Sequence, residues 1–298
     1  MIDSSRARQP DEQGRVIGPG DVGIAYEVSG SGDPTIVFLP STPIVHSRQW
    51  KGQVPYFSRS HRVVTYDGRG NGRSDRPADP GQYTDDHIVG DLEAVMDGTA
   101  TGAAVLVGLC GDGVWRAMKF AAANPSRVLG IVAFAVGVPL LSPPHPWRVA
   151  FSFDDELDRD DGWAKVNRHY WRRDYPGFAA FFFSEITSEP HSTKHIEDAV
   201  EWALDGSVGA MLGDADAPDV RTIESVEATC RAVRCPMLLV HGTEDSCQPL
   251  SRARRLSELT GAPLVVLEGA DHMIPARHPV RANLLIRDFV ESLPGGPT

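Results

Sequence analysis

The sequence predicts an α/β protein built on a mostly parallel, doubly wound sheet, and three observations predict it. Short apolar runs alternate with helical periodicity from residue 22 to about 136, the alternation stops between 139 and 234, and it resumes at 235. Such alternation argues for right-handed βαβ crossovers that set successive strands side by side. The interruption is rich in aromatic and acidic residues and has no period-two pattern, so it reads as a helical insertion rather than as more sheet. A disordered linker fits poorly with so many aromatics, and a second domain is the other reading. At 298 residues the chain can bury a large core. The expected organisation is a flexible leader at 1–14, an α/β core at 15–138 and 235–293, a helical lid at 139–234 and a flexible tail at 294–298.

Residues 22–28 alternate enough for a strand, and Ser29-Gly-Ser-Gly-Asp-Pro34 is a dense turn signal before a second strand at 35–39. Trp50, Val54 and Phe57 form a helical stripe within 47–58, and 62–66 is a third strand ending in Asp67-Gly-Arg-Gly-Asn-Gly-Arg-Ser74. Thr84 can cap a helix over 85–97 with Ile88, Leu92 and Val95 on one face. The run 104–109 is a buried strand that passes through Gly108-Leu-Cys-Gly-Asp-Gly113 into a helix, and 128–136 is strongly apolar again. After the insertion come a strand at 235–241, a helix near 249–259, a strand at 264–267 and a helix near 277–292.

Composition narrows the function classes. Lys and Arg number 29 against 40 Asp and Glu, a net charge of −11. That balance opposes nonspecific binding to nucleic acid or to anionic membranes, both of which need basic surface. Four cysteines at 110, 230, 235 and 247 make no CxxC pair and no zinc-type spacing with histidine, so neither a metal site nor a disulfide framework is expected. Arg6 and Arg8 are followed by no apolar stretch of signal-peptide type, and no run reaches the roughly 18–20 apolar residues that span a bilayer. The expectation is a cytoplasmic protein with no cofactor, no metal and a small-molecule partner; the oligomeric state is not readable.

Chemistry in an open α/β sheet gathers at the carboxyl ends of the strands. Three groups end up there in chain order: Cys110, Asp245 and His272. Nucleophile, acid, histidine is the order of the nucleophile-elbow hydrolases. Together with Phe38-Leu-Pro-Ser-Thr-Pro43, the 67–74 loop, Leu239-Val-His-Gly-Thr-Glu-Asp245 and Gly269-Ala-Asp-His272, they make the chain resemble the α/β-hydrolase superfamily from about residue 22 to 293, most closely its lid-bearing actinobacterial hydrolases. The resemblance implies that Cys110 acts as an acyl acceptor, that His272 moves its proton and that Asp245 holds the histidine tautomer. It also places the oxyanion donors at the backbone amides of Gly111 and Thr42.

Each residue has a bland alternative. Cys110 can be a small core residue, His278 and Glu244 are rivals for base and acid, and His241 suits a strand-end structural role. Cys230, Cys235 and Cys247 read as ordinary packing or loop residues. The 67–74 loop has phosphate-loop glycines but opens no helix, so a structural brace is expected there. Two departures from the family pattern stand out: Cys replaces the usual Ser, and Asp112 occupies a position that is normally small. Asp112 is either a helix-start residue, favourable at the helix dipole, or a polar group in the pocket that would raise the thiol pKa. The expected activity is a cofactor-free hydrolase of esters, thioesters or lactones working through an acyl-cysteine. Acyl transfer or cyclisation by the same triad is the alternative, with a non-catalytic binding protein and a lyase with His272 as base behind it.

Overall fold

The computed structural model describes residues 9–294. Its strands are β1 (Glu12–Gly18), β2 (Val22–Ser29), β3 (Ile36–Phe38), β4 (Val63–Tyr66), β5 (Ala104–Leu109), β6 (Val128–Phe134), β7 (Met237–Gly242) and β8 (Leu264–Leu267). The helices before the insertion are α1 (Val54–Phe57), α2 (Asp85–Gly98) and α3 (Cys110–Ala123). Between β6 and β7 lie α4 (Arg168–Arg173), α5 (Tyr175–Ile186), α6 (Thr193–Leu204), α7 (Val208–Ala215) and α8 (Ile223–Ala232). The chain closes with α9 (Leu250–Thr260), α10 (Ile274–Arg277) and α11 (Pro279–Ser292). No helix among the described residues is long and apolar enough to cross a membrane.

One eight-stranded sheet runs β1-β2-β4-β3-β5-β6-β7-β8. The pairs β1/β2 and β2/β4 are antiparallel and the remaining pairs parallel. Alternation across the pleat splits the interior into two clusters. Ile36, Phe38, Val105 and Val107 join one with residues of α5 and α11, while Val37, Leu39 and Leu106 join the other with residues of α2, α3 and α9. Thr84 caps α2 by accepting the His87 amide.

Two expectations change. The leader drawn over 1–14 is too long, because Glu12, Gln13 and Gly14 already belong to β1 and pair with Val28, Glu27 and Tyr26. An edge strand this polar and exposed carries little apolar pattern, and its strand character comes from the partner's backbone. Residues 1–8 of that leader, and 295–298 of the tail, lie outside the described residues. The second change concerns α8. It packs against α3 and α9, with Val226 and Cys230 buried in the α2/α3/α9 cluster, so the last helix before β7 flanks the sheet. The buried aromatics of the insertion are concentrated in α4 to α6, where Trp171, Phe178, Phe182, Phe183 and Trp202 are buried.

Candidate active site

The site is built around the junction of β5 and α3. Leu109 ends the strand and Cys110 begins the helix, held at φ +62°. A side chain there is presented sharply off the sheet, and few residues other than glycine adopt that conformation freely. The turn closes because its flanking residues lack side chains: a Cβ on Gly108 would lie 2.6 Å from the carbonyl carbon of Gly113.

The loops after β7 and β8 bring the two partners. His272 Nδ1 lies 2.8 Å from Asp245 Oδ2, and both side chains are buried. Asp245 Oδ1 accepts the amides of Cys247 and Gln248, each at 2.8 Å. With the carboxylate fixed on both oxygens, Nδ1–H donates to Asp245 and Nε2 is left for Cys110. The Cys110, Cys247 and His272 ligand atoms fall within 4.8 Å of one another.

Packing sets the electrostatics. Burial alone would raise Asp245, but His272, then His241 and the Gln248 amide, hold its carboxyl below the usual range. Burial would likewise lower His272, yet Asp245 and then Cys110 outweigh it and hold the imidazole well above its ordinary value. Cys110 is pushed up, first by its hydrogen bond with Cys247 and then by burial, while His272 pulls the other way. Cys247 is shifted down, chiefly by the hydrogen bond from Cys110. The two sulphurs therefore share one site and compete for one negative charge.

Cys247 corrects the expectation of an ordinary loop residue: it is buried beside Cys110 on the wall of the cavity. Gln248, its neighbour, places its amide nitrogen 3.5 Å from Cys110 Sγ and 3.7 Å from Cys247 Sγ. Arg252 donates to the other end of that amide at 2.6 Å, which fixes its orientation. No spacing rule in the sequence signals either residue, because the loop after Asp245 must first turn back over the elbow.

A cavity of about 300 Å³ opens from Cys110 and His272. Its walls are largely apolar, with Trp171, Phe178, Phe182, Phe183, Ile186 and Met211 from the insertion. Arg148 also lines it, stacked on the Trp163 and Phe182 rings, with a buried Nη1 that has no hydrogen-bond partner among the described residues.

The two expected oxyanion residues differ in placement. Gly111 lines the cavity, and Gly137, just past β6, lies so close that a Cβ there would sit 2.4 Å from the Gly111 nitrogen. A glycine directly after an apolar strand was the available signal for that position. Thr42 is buried behind the wall: its carbonyl accepts from Arg116 at 2.9 Å, its hydroxyl packs toward Gly68, and Ser41 lines the cavity instead. Asp112 borders both this cavity and a separate polar hollow of about 310 Å³. Its carboxylate lies 3.4 Å from Arg116 one turn along α3, and burial raises its pKa despite that cation.

Two rivals lie elsewhere: His278 meets Glu189 at 2.9 Å and Glu244 is exposed. His241 is buried behind Asp245, its Nε2 3.0 Å from the Gln248 carbonyl and 3.5 Å from Asp245 Oδ2. The 67–74 loop is a brace. Arg69 grips Asp91 through two bonds of 2.7 and 2.6 Å, and Asn71 donates to the carbonyls of Pro43, Ile44 and Trp202.

Comparison with known proteins agrees with this architecture. A family model described as alpha/beta hydrolase fold matches residues 34–162. A non-heme chloroperoxidase from Streptomyces lividans is 26% identical over 86% of this chain and 91% of its own length. The 2-hydroxymuconate semialdehyde hydrolase of Pseudomonas sp. (strain CF600) is 28% identical over 88% of both chains. Among solved structures, the esterase RhEst1 from Rhodococcus sp. ECU1013 superposes with a TM-score of 0.77 at 19% identity, covering 95% of this chain and 99% of that one.

Proposed function

We propose that this enzyme of the α/β-hydrolase fold cleaves an ester, thioester or lactone through an acyl intermediate on Cys110. The observation that carries the reading is the pairing of His272 Nδ1 with a doubly anchored Asp245, which leaves Nε2 for the Cys110 thiol. In the acylation step His272 accepts the thiol proton while sulphur attacks the carbonyl carbon, and the electron pair of the C=O moves onto oxygen. The Gly111 amide, in the first turn of α3 on the cavity wall, is the proposed donor to that oxyanion. Collapse expels the alcohol or thiol, which takes the proton back from His272. Water then attacks the thioester with His272 as base and releases the acid.

The apolar cavity supports an acyl or aryl group of modest size, and the relatives named as an esterase and a semialdehyde hydrolase support hydrolysis. Because the intermediate is a thioester, an added amine or thiol acceptor competes with water, and product partitioning measures acyl transfer directly. The test is intact-protein and peptide mass spectrometry after exposure to p-nitrophenyl esters. An acyl adduct on Cys110 that persists longer in His272→Ala supports the reading. Absence of any Cys110 adduct, with Cys110→Ala as active as wild type, overturns it.

A further inference from the structure

The spacing of the four cysteines carries no zinc pattern, but the fold brings two of them and a histidine together. We propose that Cys110, Cys247 and His272 form a site for a thiophilic divalent cation, Zn²⁺ or Cd²⁺, and that its occupancy takes the Cys110 sulphur out of reaction.

The donor set matches such an ion. Two sulphurs and one imidazole nitrogen suit borderline and soft cations and leave a fourth position open. All three side chains line the apolar cavity, which leaves room on that side for a fourth ligand. The dimensions match as well. Tetrahedral coordination with bonds of about 2.3 Å to sulphur needs sulphurs roughly 3.8 Å apart. The three ligand atoms already lie within 4.8 Å of one another, so side-chain rotation of about 1 Å or less closes the set.

Outer partners hold the ligands in place. Asp245 Oδ2, 2.8 Å from Nδ1, holds the His272 tautomer whose Nε2 lone pair is free to ligate, the carboxylate–histidine–metal relay seen around bound zinc. The Gln248 amide, fixed by Arg252, is within 3.5 and 3.7 Å of the two sulphurs and can donate to either thiolate. On binding, two thiols release their protons, two S–metal bonds and one N–metal bond form, and no electrons are exchanged. The dication then sits neutralised by two thiolates, which suits an apolar cavity.

Metal binding is independent of the proposed hydrolysis; only the inhibition rests on that reading. Reduced, metal-free protein is titrated with CdCl₂ while the thiolate-to-cadmium charge-transfer absorption is followed, and p-nitrophenyl ester turnover is read in parallel. The expected result is one Cd²⁺ per chain, loss of turnover at the same stoichiometry, and recovery with EDTA. Cys247→Ser is expected to weaken Cd²⁺ binding, read from the charge-transfer band, by at least the roughly 10- to 100-fold that loss of an outer partner costs a metal ligand. Cys230→Ser, changed in a remote cluster, serves as the control with unaltered binding. A wild-type titration without the charge-transfer band, or a band of equal affinity in Cys247→Ser, overturns the proposal even if the protein proves to have no esterase activity.

Discussion

Replacing Asp245 with asparagine changes one charge and almost no volume, and the site geometry fixes the outcome. The retained Oδ1 still accepts the amides of Cys247 and Gln248, so the loop keeps its shape. The new amide nitrogen faces His272 Nδ1 in place of the oxygen that lies 2.8 Å away. Two donors cannot share that contact, so the ring proton moves to Nε2 and points at Cys110. Losing a hydrogen bond to a charged partner removes about 1.5–3 kcal/mol, which at 1.36 kcal/mol per decade is roughly 10- to 150-fold in rate. The inverted tautomer deepens the loss, and the same exchange in a serine triad lowers turnover about 10⁴-fold in all, which sets the upper bound. The expected fall in kcat/KM for p-nitrophenyl acetate is therefore between about 10² and 10⁴, with slower acylation in stopped flow and a thermal midpoint close to wild type. A variant with kcat/KM within about threefold of wild type would refute the assignment of Asp245 as the partner that orients His272.

Three other contacts give measurable outcomes. Gly137→Ala has no backbone conformation to resist it, but its Cβ would press on the Gly111 nitrogen at 2.4 Å; steady-state kinetics should show about a 10²- to 10³-fold loss in kcat, the scale of a missing oxyanion donor. Arg69→Met leaves Asp91 buried without its cation, and urea unfolding should reveal a loss of about 3–5 kcal/mol. The His272–Asp245 pair gives a pH signature whose sign is set by the two shifts. His272 is raised in the fold, so its contribution is complete below about pH 6.5 and fades as pH climbs through the raised value; Asp245 is lowered, so its contribution is complete above about pH 4 and fades as pH falls. Thermal melts of wild type and His272→Gln should differ most between those limits and converge toward alkaline pH; a gap that widens there contradicts the pairing.

Much of the fold was legible because burial leaves a strong imprint on composition. The buried strands β5 to β7 and the partly exposed β8 announced themselves as apolar runs, and the loop residues Asp245 and His272 stood at the carboxyl ends of β7 and β8. The 67–74 brace was legible as well, since its glycines opened no helix. What escaped depended on partners distant in the chain. β1 is a strand because β2 offers it a ladder, and its own residues are half polar. Cys247 and Gln248 enter the site through a turn whose direction is set by Asp245 accepting their amides. In the 40–42 loop Pro40 and Ser41 depart from the usual pattern, and Ser41 lines the cavity next to the buried Thr42.

The φ of +62° at Cys110 has a consequence beyond the reaction. A left-handed conformation costs a residue with a Cβ roughly 1–2 kcal/mol that glycine does not incur. Glycine at position 110 would be free of that cost. On the reading proposed above, chemistry is what keeps a side chain there, and a lineage released from it would be free to drift toward glycine or asparagine.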